Sequence, residues 1–179
     1  KRIDSDYKGK KVDLICIGKK GNDIFMKRAN KIISSHNELF NNILFEPVSK
    51  IAGELMDKFL SGTYDRIEIV HNQFKNAAVQ SVANEQFLPI PKSASSQKNN
   101  KLTDYIFEPS REFIVRELIP KSLKTQLFRA ILDSNAGEHG ARMTAMDKAT
   151  ENASELLKEL KLTYNKARKA TITKEILEI

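Results

Sequence analysis

The chain has no tryptophan, a single cysteine and only five prolines among its 179 residues. One thiol cannot close a disulfide within the chain, which fits a reducing compartment. That thiol, Cys16, lies in the apolar run VDLICIG and reads as a small buried strand residue, not a reactive group. No window approaches about eighteen uninterrupted apolar residues, so no membrane-spanning helix is expected. The opening residues carry no basic-then-apolar export signal. They start with Lys, not Met, so the chain is expected to begin inside a longer gene product. Aromatics are sparse at 7%, and the basic stretches lack the interleaved rings that stack on bases. Proline is missing altogether from Lys121 to Ile179, where Gly137 and Gly140 are the only glycines.

What is present divides into two regions. Hydrophobic residues at 40% and charged residues at 30% give the profile of a folded chain. The net charge of +7 suggests anionic partners: nucleic acid, acidic lipid or an acidic protein surface. Up to about residue 110 short strands and helices alternate. VDLICIG (12–18) predicts a buried strand ended by Gly18. Within 22–34, Ile24, Phe25, Ala29, Ile32 and Ile33 are spaced along one helical face. NILF (42–45) is a second strand candidate, and Pro47 suits the first turn of a helix over 47–61 that closes at Gly62. DRIEIVHNQF and VQSVANEQFLPIP predict a hairpin across KNAA, and DYIFEP (104–109) predicts one more strand. The polar stretch 91–101 has no periodicity and reads as an exposed loop. This alternation predicts a small layered α/β, Rossmann-like domain over residues 1–110.

Two further motifs carry little chemistry. GKKG (18–21) follows a strand but fits neither phosphate-loop spacing, so a plain turn is expected. His36, His71 and His139 share no spacing with one another or with Cys16 that suggests a metal site. Neither a cofactor nor a catalytic residue is expected.

Residues 111–179 follow different rules. At about 1.5 Å per residue, an uninterrupted helix from Lys121 onward would run on the order of 90 Å. A domain built from the first region would be only roughly 26 Å across, so the helix is expected to project as a shaft. Apolar and small residues recur in steps of three and four: Met146, Ala149, Ala153, Leu156, Leu160, Thr163, Ala167 and Ala170, with Leu177 a heptad further. That period is the coiled-coil signature. Neither shorter helix can line so long a seam, so the mate is expected in another chain or in a part of the protein outside this sequence. A homodimeric coiled coil is the simple alternative, although identical strands would usually favour larger Ile or Val over this run of Ala. A second alternative is a basic nucleic-acid-binding α/β protein with a helical dimerisation arm. A third is an enzyme with its own nucleotide site.

The residues of the long helix also carry a resemblance. SNAGEHGARMTAMDKATENASELLKELKLTYNKARKATITKEILEI (134–179) resembles the C-terminal helix of the gamma subunits of F-type ATP synthases. The matching elements are Arg142-Met143-Thr144-Ala145-Met146, Ala149 to Ala153, Tyr164-Asn165 with Arg168, and Ile172 to Ile179. ICIGKKGNDIFMKR is similar, more loosely, to the family's strand-loop-helix. The long N-terminal helix and D-x-G-L-C-G element that begin the family are absent, as are its last few small residues. Lys169 stands where Gln is common, and the paired cysteines of chloroplast members are lacking, so their redox control is not expected.

The resemblance implies a non-catalytic rotor on the central stalk of a proton- or sodium-translocating synthase. Its helix would be half of an antiparallel coiled coil, paired with the missing N-terminal helix. The implied partners are the alpha and beta subunits of the catalytic ring, the epsilon subunit and the membrane c-ring, with no specific nucleic acid. The implied location is peripheral, on the cytoplasmic face of a bacterial inner membrane or on an organellar one. Arg168, Thr173 and Glu178 would contact a catch loop of the beta subunit, and Arg142 would face its acidic lever. Lys169 and Glu175 complete the candidate subunit contacts. The basic run Lys158, Lys161, Lys166, Arg168, Lys169 and Lys174, opposed only by Glu159, would meet acidic loops.

Overall fold

A computed structural model describes residues 5–27, 31–91, 108 and 110–177. Strand β1 (Leu14–Ile17) leads through helix α1 (Lys19–Lys27) to β2 (Ile32–His36). A 3₁₀ turn (Glu38–Phe40) precedes α2 (Phe45–Leu60), and β3 (Ile67–Phe74) and β4 (Gln80–Leu88) follow. The chain ends in α3, one helix from Arg111 to Leu177. The expected α/β region followed by a single very long helix is therefore present.

β1 and β2 pair in parallel, with Leu14 opposite Ile32 and Ile17 opposite His36, and α1 makes the crossover. Gly18 ends β1 in the left-handed region, at φ 99°. A side chain there would strike the Phe40 ring at 3.0 Å. β3 and β4 form a separate two-stranded sheet. Their link, residues 75–79, is too short for a crossover, so the pairing is antiparallel. Asn76 builds the turn: its Oδ1 accepts hydrogen bonds from the Ala78 and Val79 amides at 3.0 and 2.7 Å.

Two sequence expectations are corrected. Ile32 and Ile33 are not the end of a helix over 22–34: they open β2, while α1 is described over Lys19–Lys27 and Ala29 lies outside the described residues. The apolar spacing suited either state, and the free edge of β1 decides for a strand, whose β-branched residues tolerate the pleat. NILF is not a strand either. Leu44 has extended backbone (φ −107°, ψ 149°) as the residue entering α2, and Phe45 is already helical. The strand expected at 104–109 lies outside the described residues.

Helix ends follow local chemistry. Ser110 caps α3 by accepting the Phe113 amide at 3.2 Å. Gly62, at φ 71°, closes α2 as expected, with Thr63 N–H donating to Lys58 O and Gly62 N–H to Phe59 O. Pro120 sits inside α3 without breaking it, at the loss of one intrahelical hydrogen bond.

By packing, the chain forms two compact units. The first comprises residues up to His71 and from Asn84 to Leu132; the second comprises Asn72–Ala83 and the chain from Asp133 onward. The start of α3 packs into the first core. That core joins Val48, Ile51 and Ala52 of α2 with Phe87 and Leu88 of β4 and Leu123, Leu127 and Ile131 of α3. The α3 positions recur in steps of four, a single buried stripe. Phe45 and Phe128 add an edge-to-face contact at 5.5 Å between ring centroids.

Candidate functional surface on the long helix

Cys16 is buried, and that burial raises its thiol above the ordinary range, so the inert reading holds. Among the described residues no group of three His, Cys, Asp or Glu side chains could hold a metal ion. GKKG is not the plain turn expected: only Gly18 lies outside the helix, and Lys19, Lys20 and Gly21 form the first turn of α1. The buried His71 lies in the first unit, its Nε2 4.0 Å from Glu85 Oε1. His139 lies exposed on α3, beside Arg142. The candidate contacts lie on the helix of the second unit.

In the second unit the hairpin tip rests on α3. Asn72 N–H donates to Ser134 Oγ at 3.0 Å, and the single Thr144 hydroxyl proton is shared between Gly140 O at 3.1 Å and Ala77 O at 3.2 Å. Gly140 lets two backbones meet: a Cβ there would lie 3.0 Å from Ala77 O and 3.1 Å from Ala77 Cα. Ser134, Gly137, Gly140 and Thr144 thus form a small-residue face. The signal for this face in the sequence is the spacing of its small residues in steps of three and four.

Past Thr144 every described residue to Leu177 is exposed. Met146 is 62% exposed, Leu156 56% and Leu160 57%, although they belong to the expected seam. Ala149, Ala153, Ala167 and Ala170 lie exposed along the same line. Met146, Ala149 and Ala153 each follow Gly137, Gly140 and Thr144 by nine residues, or about two and a half turns. The seam therefore faces away from the hairpin. Leaving such side chains in water forgoes about 1.5–3 kcal/mol for each large one that a partner could bury.

Hydroxyls along this stretch turn back onto their own helix, with Thr150, Ser154, Thr171 and Thr173 each donating to the carbonyl four residues earlier. Thr173, a candidate contact, is thus satisfied by Lys169 O at 2.8 Å and retains acceptor capacity outward. Arg142 pairs with Glu138 one turn back. Arg168 and Glu175 line one shallow groove with Tyr164, Ala167, Thr171 and Ile172. Among the described residues Arg168, Lys169 and Glu175 make no ion pair. Glu178 lies outside the described residues.

The helix is exposed along its heptad seam, and the basic residues from Lys158 to Lys174 interleave with that seam. The family model described as ATP synthase matches residues 1–179. The chain belongs to that family.

Within it, the chain is similar to the ATP synthase gamma chain of Flavobacterium johnsoniae, with 60% identity over 173 residues covering 97% of this chain and 60% of the relative. It is 59% identical over 175 residues to the ATP synthase gamma chain of Christiangramia forsetii, covering 98% of this chain and 60% of that one. The chain thus spans about 60% of the length of the curated relatives it matches. In fold it is similar to a chain in the cryo-EM structure of Euglena gracilis mitochondrial ATP synthase, OSCP/F1/c-ring, at TM-score 0.61 and 21% identity, covering 99% of this chain and 63% of that one. Nothing in these likenesses supports a nucleic-acid-binding protein.

Proposed function

We propose that the chain is the α/β portion and C-terminal shaft helix of a central-stalk rotor subunit, non-catalytic itself, in an ion-translocating ATP synthase. The observation that carries this reading is the unburied seam on α3. A helix with an apolar stripe and no partner is marginal in water, so a mate is required along Met146 to Leu177. The mate is a leading helix of the longer protein, paired antiparallel, and the hairpin leaves the face it needs open. Two helices resist twisting where one would bend, which suits transmission of torque. Alanines at Ala149, Ala153, Ala167 and Ala170 allow close approach of that mate.

A shaft whose sides differ can favour a different conformation in each catalytic subunit around it, which is coupling between distant sites through differential contacts. Arg142, Arg168, Lys169, Thr173, Glu175 and Glu178 are the side chains assigned to contacts with the alpha and beta subunits. The epsilon subunit and the c-ring are the further partners, and the site of action is the cytoplasmic face of a bacterial inner membrane.

The test is co-purification with alpha and beta subunits, comparing this chain alone with the full-length protein that contains it. The full-length protein is expected to copurify in stable complex and this chain alone weakly. Equal capture of both would remove the role given to the mate, and capture of neither would refute the rotor reading.

A further inference from the structure

The rotor reading makes no use of the hairpin tip seated on α3. We propose that this contact is a latch that stays closed while the rotor turns and holds α3 from Ser134 to Thr144 against twisting. The proposal rests on the rotor reading. Beyond Thr144 every described residue of the helix is exposed, so a twist applied there first meets another part of this chain at the latch. Two features suit it to that load. Backbone meets backbone at Gly140 and Ala77, with no long side chain between them to yield. The Asn72 amide also ties one end of the patch to Ser134 Oγ, and at the other end Thr144 shares its one hydroxyl proton between Ala77 O and Gly140 O. Because the seam lies about half a turn around the helix from the latch, a mate and the hairpin can grip α3 together.

The geometry supplies its own probe. A Cβ at residue 137 would stand 3.8 Å from Asn72 Cβ, close to the disulfide mean of about 3.8 Å. Asn72→Cys with Gly137→Cys should therefore cross-link, and the native Cys16 is buried away from the reagent. In the full-length protein, assembled in membrane vesicles, the pair is oxidised with copper phenanthroline and released with dithiothreitol. ATP hydrolysis and ATP-driven ion pumping are expected to agree within about twofold between the two states. A reversible loss of tenfold or more on oxidation would mean that the latch must open, and would overturn the proposal.

Ser134→Ala with Thr144→Val removes both tying hydroxyls at little change of volume. The ions pumped per ATP are expected to fall about twofold or more while hydrolysis persists, because the latch opens more often once its hydrogen bonds are lost. Adding the cross-link should restore the ratio. An unchanged ratio, or a loss that the cross-link fails to repair, refutes the latch even though the chain is incorporated. Absence of the chain from the assembled enzyme would instead refute the rotor reading, and the latch with it.

Discussion

Replacing Gly137 and Gly140 by alanine, one at a time, separates helix propensity from close packing at neighbouring turns of one helix. In a helix interior Ala is favoured over Gly by about 0.8–1 kcal/mol. At residue 137 a new methyl would meet Gln80 Cγ at 3.4 Å and Asn72 Cβ at 3.8 Å, ordinary contacts. Gly137→Ala should therefore stabilise the protein by about 1 kcal/mol, or about 2–4 °C in Tm. At residue 140 the same methyl would meet the Ala77 backbone at 3.0–3.4 Å, where no side chain can swing aside. Overpacking of that kind costs about 1–3 kcal/mol and cancels or exceeds the gain. Urea unfolding followed by circular dichroism, with amide exchange at Val79 reporting on the tip, measures both. Equal stabilisation by the two substitutions would refute the seating of the hairpin on α3.

Leu127→Ala opens a cavity in the first core, where Leu127 is only 3% exposed, and should cost about 2–5 kcal/mol in the urea midpoint analysis. Leu160→Ala should leave the stability of this chain within about 0.5 kcal/mol, because nothing covers it, yet weaken complex formation by the full-length protein. Burial, then the hydrogen bond to Asp13 and its charge, raises the Tyr64 hydroxyl above the ordinary tyrosine range. A group raised in the folded state contributes stability below its unfolded pKa, about 10, and loses it as pH climbs through the folded value. Stability above pH 10 should therefore fall more steeply for the native chain than for Tyr64→Phe; parallel curves would contradict the Asp13 contact.

Several elements were legible because their signals are local. Gly62 marks the end of α2 by its left-handed conformation, and the run without proline from Lys121 announces α3. The β3–β4 hairpin follows from two β-rich segments around a short polar link. β2 was missed because Ile32 and Ile33 continue a helical spacing. What makes them a strand is the edge of β1, a partner distant in sequence. At Gly140 the sequence shows a glycine without showing what approaches it, so the latch was invisible until the hairpin tip was placed. The seam is visible in the sequence as a spacing, and the structure adds that Met146, Leu156 and Leu160 are more than half exposed.

The central claim is that α3 is a shaft that turns, and rotation can be watched directly. A rod attached through Lys20→Cys, on the exposed start of α1, would report on the full-length protein assembled with a surface-fixed catalytic ring. On addition of ATP the rod is predicted to turn repeatedly in one direction. A rod that stays fixed while the same complexes hydrolyse ATP would contradict the account.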